Sequence, residues 1–223
     1  MPRIPLHDAI RKLRALDGDP PPPPATDPYA IALREAAAYL VDDERREATV
    51  EALRKEIGLD PQALLRATPA RIAKAIAKGG MHPERRAAKV KECAAIAAEV
   101  GVKELLKLAQ TDPKAAKKIL KRFPGIGDPG AGRMLLFSHG VRTLAPDSNA
   151  LRVLLRLGFG QEGTSYAASY RSANRAVASE LSEDFGDLIR AHSLLRMHGK
   201  EMCKTKAPAC GVCPLAHDCP SAS

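Results

Sequence analysis

Apolar residues recur along most of the chain at intervals of three and four, the period of a helix with one buried face. From residue 7 to 16, Ile10, Leu13 and Leu16 keep that spacing and predict a short amphipathic helix. Asp17-Gly18-Asp19 and the run Pro20–Pro24 end it. A proline run has no N–H to donate and prefers an extended form, so it reads as a semi-rigid linker. Asp27-Pro28, a cap residue followed by proline, opens the next helix, which carries Ile31, Leu33, Ala36, Ala37 and Leu40. Further helices are predicted at 43–57, 61–66, 69–78, 83–100, 102–108 and 112–122. Gly58, Pro61, Thr68-Pro69, Gly79-Gly80, Pro83, Gly101 and Asp112-Pro113 punctuate them. Beyond Phe123–Gly127 the pattern predicts helices at 128–138, 147–157, 164–182 and 184–198. No alternating run of β-branched and aromatic residues occurs, and no internal repeat, so the predicted fold is all-α.

Composition bounds the function. An apolar share of 45% in 223 residues is enough for a real core and excludes disorder over most of the chain. No uninterrupted apolar run approaches the roughly 18–20 residues needed to span a bilayer. Met1–His7 has no apolar signal core, so a cytoplasmic protein is expected. The formal charge of +9, from 35 basic against 26 acidic residues, makes a polyanion the expected partner. Nucleic acid comes first and an anionic membrane surface second.

Four of the five cysteines, Cys203, Cys210, Cys213 and Cys219, fall in one short stretch as C-x6-C-x2-C-x5-C. In a reducing compartment such a group reads as a ligand set rather than as disulfides. Tetrathiolate ligation suits both Zn2+ and a [4Fe–4S] cluster, and the spacing alone does not choose. Cys93, in Glu92-Cys-Ala-Ala-Ile-Ala-Ala, lies on an apolar helix face and reads as a buried core thiol.

Phe123-Pro124-Gly125-Ile126-Gly127 sits between two predicted helices. Gly125 and Gly127 allow a tight turn with outward N–H groups, while Ile126 can plug the angle between the helices. Such a turn beside a helix N-terminus suits a phosphate. An ordinary helix–helix turn would look the same. The flanking Lys117, Lys118, Lys121 and Arg122 favour DNA, although each alone could be a solvated charge.

The hairpin and the cysteine loop, in this order and at this separation, resemble the helix-hairpin-helix DNA glycosylases of the endonuclease III family. The resemblance runs from about Asp27 to Cys219. It is carried by Phe-Pro-Gly-Ile-Gly (123–127), Pro-Asp-Ser-Asn-Ala-Leu-Arg-Val (146–153), His198-Gly199 and the cysteine spacing. It implies a [4Fe–4S] cluster on the four cysteines, with Zn2+ as the alternative occupant. It also implies two domains: a six-helix domain at 27–143 carrying the hairpin, and a cluster domain made of 1–26 with 144–223. The proline linker fits a crossing between them.

Asp147 matches the family's catalytic aspartate. Cleaving an N-glycosidic bond builds positive charge on the sugar, which a carboxylate can stabilise, or it can orient the attacking water. An N-cap for the helix at 147–157 is the plainer role, and the two are compatible. Lyase members of the family carry a lysine just after the hairpin; here that position is Pro129. Arg133 lies one turn later, but a guanidinium cannot replace the amine. Little or no Schiff-base lyase activity is therefore expected. Asp147-Ser-Asn149 follows the Asp-x-Asn pattern of the monofunctional mismatch glycosylases. In Asp27-Pro-Tyr-Ala-Ile-Ala-Leu-Arg-Glu35, the glutamate aligns with the general acid of the adenine-specific enzyme. A salt bridge from Glu35 to Arg34 or Arg45 is the competing reading.

Relatives have a Gln-rich segment where this chain has Ala38-Tyr39-Leu40-Val41-Asp42-Asp43. A candidate wedge for base extrusion is then Tyr39 or Leu40, or Met81 or His82 in Gly79-Gly-Met-His-Pro83. With the sequence ending soon after Cys219, the further domain with which the adenine-specific enzyme reads 8-oxoguanine is not expected here. The expected protein is a monomeric, monofunctional DNA glycosylase acting on a damaged or mismatched base in duplex DNA. Its DNA contacts would come from Gly125, Ile126, Gly127, Lys121, Arg122 and Arg133. Arg142, Arg152, Lys200, Lys204 and Lys206 would extend the basic surface. A lyase using another amine, or a DNA-binding module without catalysis, are the rival readings.

Overall fold

The structure is a computed structural model that describes residues 3–222. It is all-helical: twelve α-helices and four short 3-10 turns, with no strand among the described residues. Among the described residues the one β-type contact is an isolated parallel bridge between Tyr39 and Gly80. No described helix is long and apolar enough to cross a membrane.

The chain divides into two compact units. Ala25–Gly127 forms one, containing α2 (Pro28–Ala37), α3 (Asp43–Glu56), α4 (Pro61–Arg66), α5 (Pro69–Ala75), α6 (Pro83–Val100), α7 (Val102–Thr111) and α8 (Pro113–Leu120). Four of these helices start where an Asp or Thr precedes a proline. Asp27, Asp60, Thr68 and Asp112 each accept a first-turn backbone N–H, and proline at the first helical position forfeits a donor with no helical partner. Helix α6 is the axis of the unit and packs against α2, α4 and α5. Its Val90, Cys93, Ala94 and Ala97 are buried at helical spacing. Burial pushes the Cys93 thiol up to about 12, as befits an inert core thiol.

The segment through Pro24 and the chain from Asp128 onward form the other unit. It contains α1 (Leu6–Asp17), α9 (Asp128–Phe137), α10 (Ser148–Arg156), α11 (Tyr166–Val177) and α12 (Phe185–Glu201). Its core joins Leu6 and Leu13 of α1 to Leu151 and Leu154 of α10, Phe159, and Leu194 and Leu195 of α12. Ion pairs Arg3–Glu180 and Lys12–Asp218 tie the N-terminal segment to the C-terminal half.

Two features differ from the sequence expectations. The second unit starts at Asp128 rather than at 144, because α9 packs against α12. Leu40, expected on the helix that starts at Pro28, lies beyond its end: α2 stops at Ala37, and Leu40 is left-handed at φ 54°.

Candidate active site and cysteine centre

Asp147 is the N-cap of α10. One carboxylate oxygen, Oδ1, accepts the backbone N–H groups of Asn149 and Ala150, each at 2.9 Å. The other, Oδ2, lies 3.4 Å from Nε of Arg196 on α12. The carboxylate is thus fixed in orientation and only partly exposed, with one oxygen outside the cap. On α12, one turn before Arg196, His192 is fully enclosed. Its Nδ1 donates to the Leu144 carbonyl at 2.9 Å, and its ring meets Phe137 edge-on. Exposed Tyr166 feels the Asp147 charge and stacks against Tyr170, with ring centroids 6.4 Å apart.

Glu35 belongs to the other unit. It is half-buried on α2 and lies 3.5 Å from Arg46. Arg34 pairs with Glu47, and the guanidinium of Arg45 donates to the Lys78 carbonyl.

In the hairpin turn, Phe123 and Ile126 are buried, and the Ile126 N–H donates to the Phe123 carbonyl at 3.1 Å. Gly125 sits at φ 82°, where a side chain is disfavoured, and it faces open space. Gly127 and Lys121 are exposed, as is Arg122, which donates two hydrogen bonds to Glu99 at 2.8 and 2.5 Å. Arg133 is half-buried on α9.

The four wedge candidates come from two segments that lie side by side. The Tyr39 N–H donates to the Gly79 carbonyl at 2.8 Å, beside the Tyr39–Gly80 bridge. Leu40 is 72% exposed, Met81 55% and Tyr39 51%, unusual values for large apolar side chains in one place. His82, also exposed, is the left-handed residue that precedes α6.

Cys203, Cys210, Cys213 and Cys219 all line one cavity, walled by Val153, Leu157, Pro208 and Leu215. Burial pushes the thiols of Cys213 and Cys219 up, and the neighbouring cysteines add to this. Basic groups stand around them. Arg156 donates to Sγ of Cys203 at 3.2 Å, and Nε2 of His198 lies 3.5 Å from Sγ of Cys213. Nδ1 of His198 is buried without a hydrogen-bond partner among the described residues. No three Cys, His, Asp or Glu side chains among the described residues are grouped to hold a single metal ion.

Arg152, expected on the basic surface, is turned inward. It donates to the carbonyls of Cys203 at 2.7 Å and Gly199 at 2.5 Å, and to Asn149 at 3.0 Å. Gly199 is required there, since a Cβ would stand 2.4 Å from the Asn149 carbonyl. Arg142 is likewise engaged, by Glu183. Sequence reasoning missed Arg196, whose partner is 49 positions away, and Arg86. The latter left a signal: it precedes Val90, Cys93 and Ala97 at spacings of four, three and four on the buried stripe of α6.

No protein-family model matches the chain. Endonuclease III of Rickettsia conorii is 32% identical over 104 residues, 46% of this chain and 45% of that protein. Adenine DNA glycosylase of Mycolicibacterium smegmatis is 30% identical over 151 residues, 68% of this chain and 47% of that protein. The chain therefore spans about half the length of the curated relatives it matches. A solved non-covalent endonuclease III–DNA complex superimposes with a TM-score of 0.73 at 16% identity, covering 97% of this chain and 94% of that one. At that identity the likeness is one of fold.

Proposed function

The chain belongs to the endonuclease III-like helix-hairpin-helix glycosylase family, and from that premise we propose that it is a monofunctional DNA N-glycosylase of base excision repair. It extrudes a damaged or mismatched base from duplex DNA and hydrolyses the bond to the sugar. The observation that carries this reading is the state of Asp147. Its orientation is locked by two backbone N–H groups, and Oδ2 remains outside the cap. A fixed carboxylate is pre-oriented to stabilise the sugar cation or to align a water, without reorganisation during the reaction. The turn after the hairpin reads Asp128-Pro-Gly-Ala-Gly132, which offers no amine for a Schiff base.

The remaining roles follow the chemistry of each group. Glu35 is the candidate acid for the departing base. The backbone at Gly125 and Gly127, with Ile126 seating the turn, grips phosphate, and Lys121, Arg122 and Arg133 supply charge. Tyr39, Leu40, Met81 and His82 occupy the gap left by the extruded base. The protein acts on double-stranded DNA as a monomer.

The residues present fit a [4Fe–4S] cluster. Four soft sulfur donors line one apolar-walled cavity with Arg156 and His198 beside them, a donor set that suits an iron–sulfur centre as it would Zn2+. Bound there, the cluster would supply four iron–thiolate bonds that fasten the loop 203–219. The chain's own residues around it, Arg152 and Arg156, hold that loop against α10 through its carbonyls.

A panel of duplexes bearing uracil, mismatched thymine, hypoxanthine, alkylated and oxidised bases tests the activity. The expected result is an abasic product from at least one duplex, with no protein–DNA adduct on borohydride reduction. A trapped adduct would instead establish a lyase, and binding without cleavage of any duplex a non-catalytic module.

A further inference from the structure

A buried cation links the two segments that carry the exposed Tyr39, Leu40 and Met81. Arg86 of α6 is only 3% exposed, and every hydrogen bond it donates goes to a backbone carbonyl. It bonds Ala37 and, at 2.7 Å, Ile76 through one terminal nitrogen. The other terminal nitrogen reaches Gly80 at 2.8 Å and Ala77 at 3.4 Å, and Nε reaches Met81 at 2.9 Å. One guanidinium thus ties the end of α2 to the whole turn between α5 and α6. A planar group with five N–H donors can do this; an ammonium cannot. The fit leaves no slack. A Cβ at Gly79 would stand 2.6 Å from the Ala37 carbonyl and 2.7 Å from the Arg86 guanidinium. In the same two segments, Leu40 and His82 are held left-handed, a conformation that an L-residue keeps only when its surroundings fix it.

We propose that Arg86 is the positioning residue of a two-segment apolar platform, 39–40 with 81, whose ligand is the gap in duplex DNA where one base is missing or extruded. This rests on the base-extrusion reading above. Apolar side chains that enter a base stack must not fold back onto their own protein on meeting water. The clamp prevents that by fixing the backbone from which they project. Arg86 touches no DNA; it acts through the two segments.

The test uses a duplex with a tetrahydrofuran abasic analogue and 2-aminopurine opposite it, whose fluorescence rises when the platform unstacks that base. This readout needs no excision and no knowledge of the natural lesion. The full chain is compared with Arg86→Lys and with Gly79→Ala, whose added Cβ crowds the Ala37 carbonyl and the Arg86 guanidinium while Arg86 and the exposed side chains keep their identity. Binding is followed in parallel by anisotropy on an undamaged duplex. The expected result is a rise with the parent protein that is lost in both variants, while anisotropy titrations on undamaged DNA overlay. A rise that survives in both variants overturns the positioning role alone. If the parent protein itself produces no rise, the base-extrusion reading fails and this proposal fails with it.

Discussion

Nε of Arg196 stands 3.4 Å from Oδ2 of Asp147, on the one carboxylate oxygen that the α10 backbone does not occupy. Asp147 is thus restrained from two directions, by its own helix terminus and by α12. One oxygen serves the fold, and the other, beside Arg196, is the one proposed for chemistry. The two functions can be separated by substitution, because asparagine caps a helix about as well as aspartate.

Asp147→Asn should lower single-turnover excision by at least about a hundredfold, since a charge aimed at a developing cation is lost. Stability should change by less than about 1 kcal/mol, whereas Asp147→Ala should cost roughly 1 kcal/mol more through the missing cap. Thermal unfolding of the two variants beside a cleavage time course checks both halves. Full cleavage by Asp147→Asn would remove Asp147 from the mechanism.

Much of this was legible in the sequence, for a local reason. Asp27-Pro28, Asp60-Pro61, Thr68-Pro69 and Asp112-Pro113 each carry their own start signal, and helices form at all four. The cysteine spacing was equally plain, and the four thiols line one cavity. What periodicity could not give is set by partners distant in sequence. Leu40 falls outside α2 because the Tyr39 N–H, whose helical acceptor would be the Glu35 carbonyl, goes to Gly79 instead, and the carbonyls of Ala37 and Ala38 are taken by Arg86 and Arg46. Arg152 looked like surface charge, yet it spends its donors on Cys203 and Gly199.

Gly125 and Lys121 should affect DNA binding in different ways. At φ 82°, Gly125→Ala meets no neighbour, yet it strains the turn by about 1 kcal/mol. The turn should relax by reorienting the N–H groups offered to phosphate, weakening affinity with the salt dependence retained. Lys121→Ala should instead reduce the slope of log K against log salt by about 1, the signature of one lost phosphate contact. Fluorescence titrations at four salt concentrations distinguish them, and an unchanged slope would take Lys121 out of the interface.

Replacing any one of Cys203, Cys210, Cys213 or Cys219 by serine should reduce bound iron and acid-labile sulfide together and lower the thermal midpoint. Cys93→Ser should leave the iron content alone, because that thiol is buried in the other unit. Arg156→Met removes the N–H donated to Sγ of Cys203 while keeping the side chain's length. It should shift the cluster's reduction potential to a more negative value, since a hydrogen bond to sulfur favours the more negatively charged state. A colourless protein that binds zinc stoichiometrically would overturn the cluster assignment.

His192 should make the protein acid-sensitive. Burial is the main reason its imidazole is pulled down to about 4 from the ordinary 6.5; the bond to the Leu144 carbonyl opposes this, and nearby Arg133 adds to it. As pH falls below about 6.5, the unfolded chain takes up a proton that the folded protein refuses, so stability declines. The decline should continue to about pH 4 and flatten beneath it, where both states carry the proton. His192→Gln keeps a donor for Leu144 but cannot titrate. It should be less stable than the parent at pH 7.5, by roughly 1–3 kcal/mol for a disturbed buried contact, yet lose less of its stability between pH 7 and pH 4.5. Denaturant titrations at those pH values decide the matter, and equal losses in the two proteins would place the acid sensitivity elsewhere.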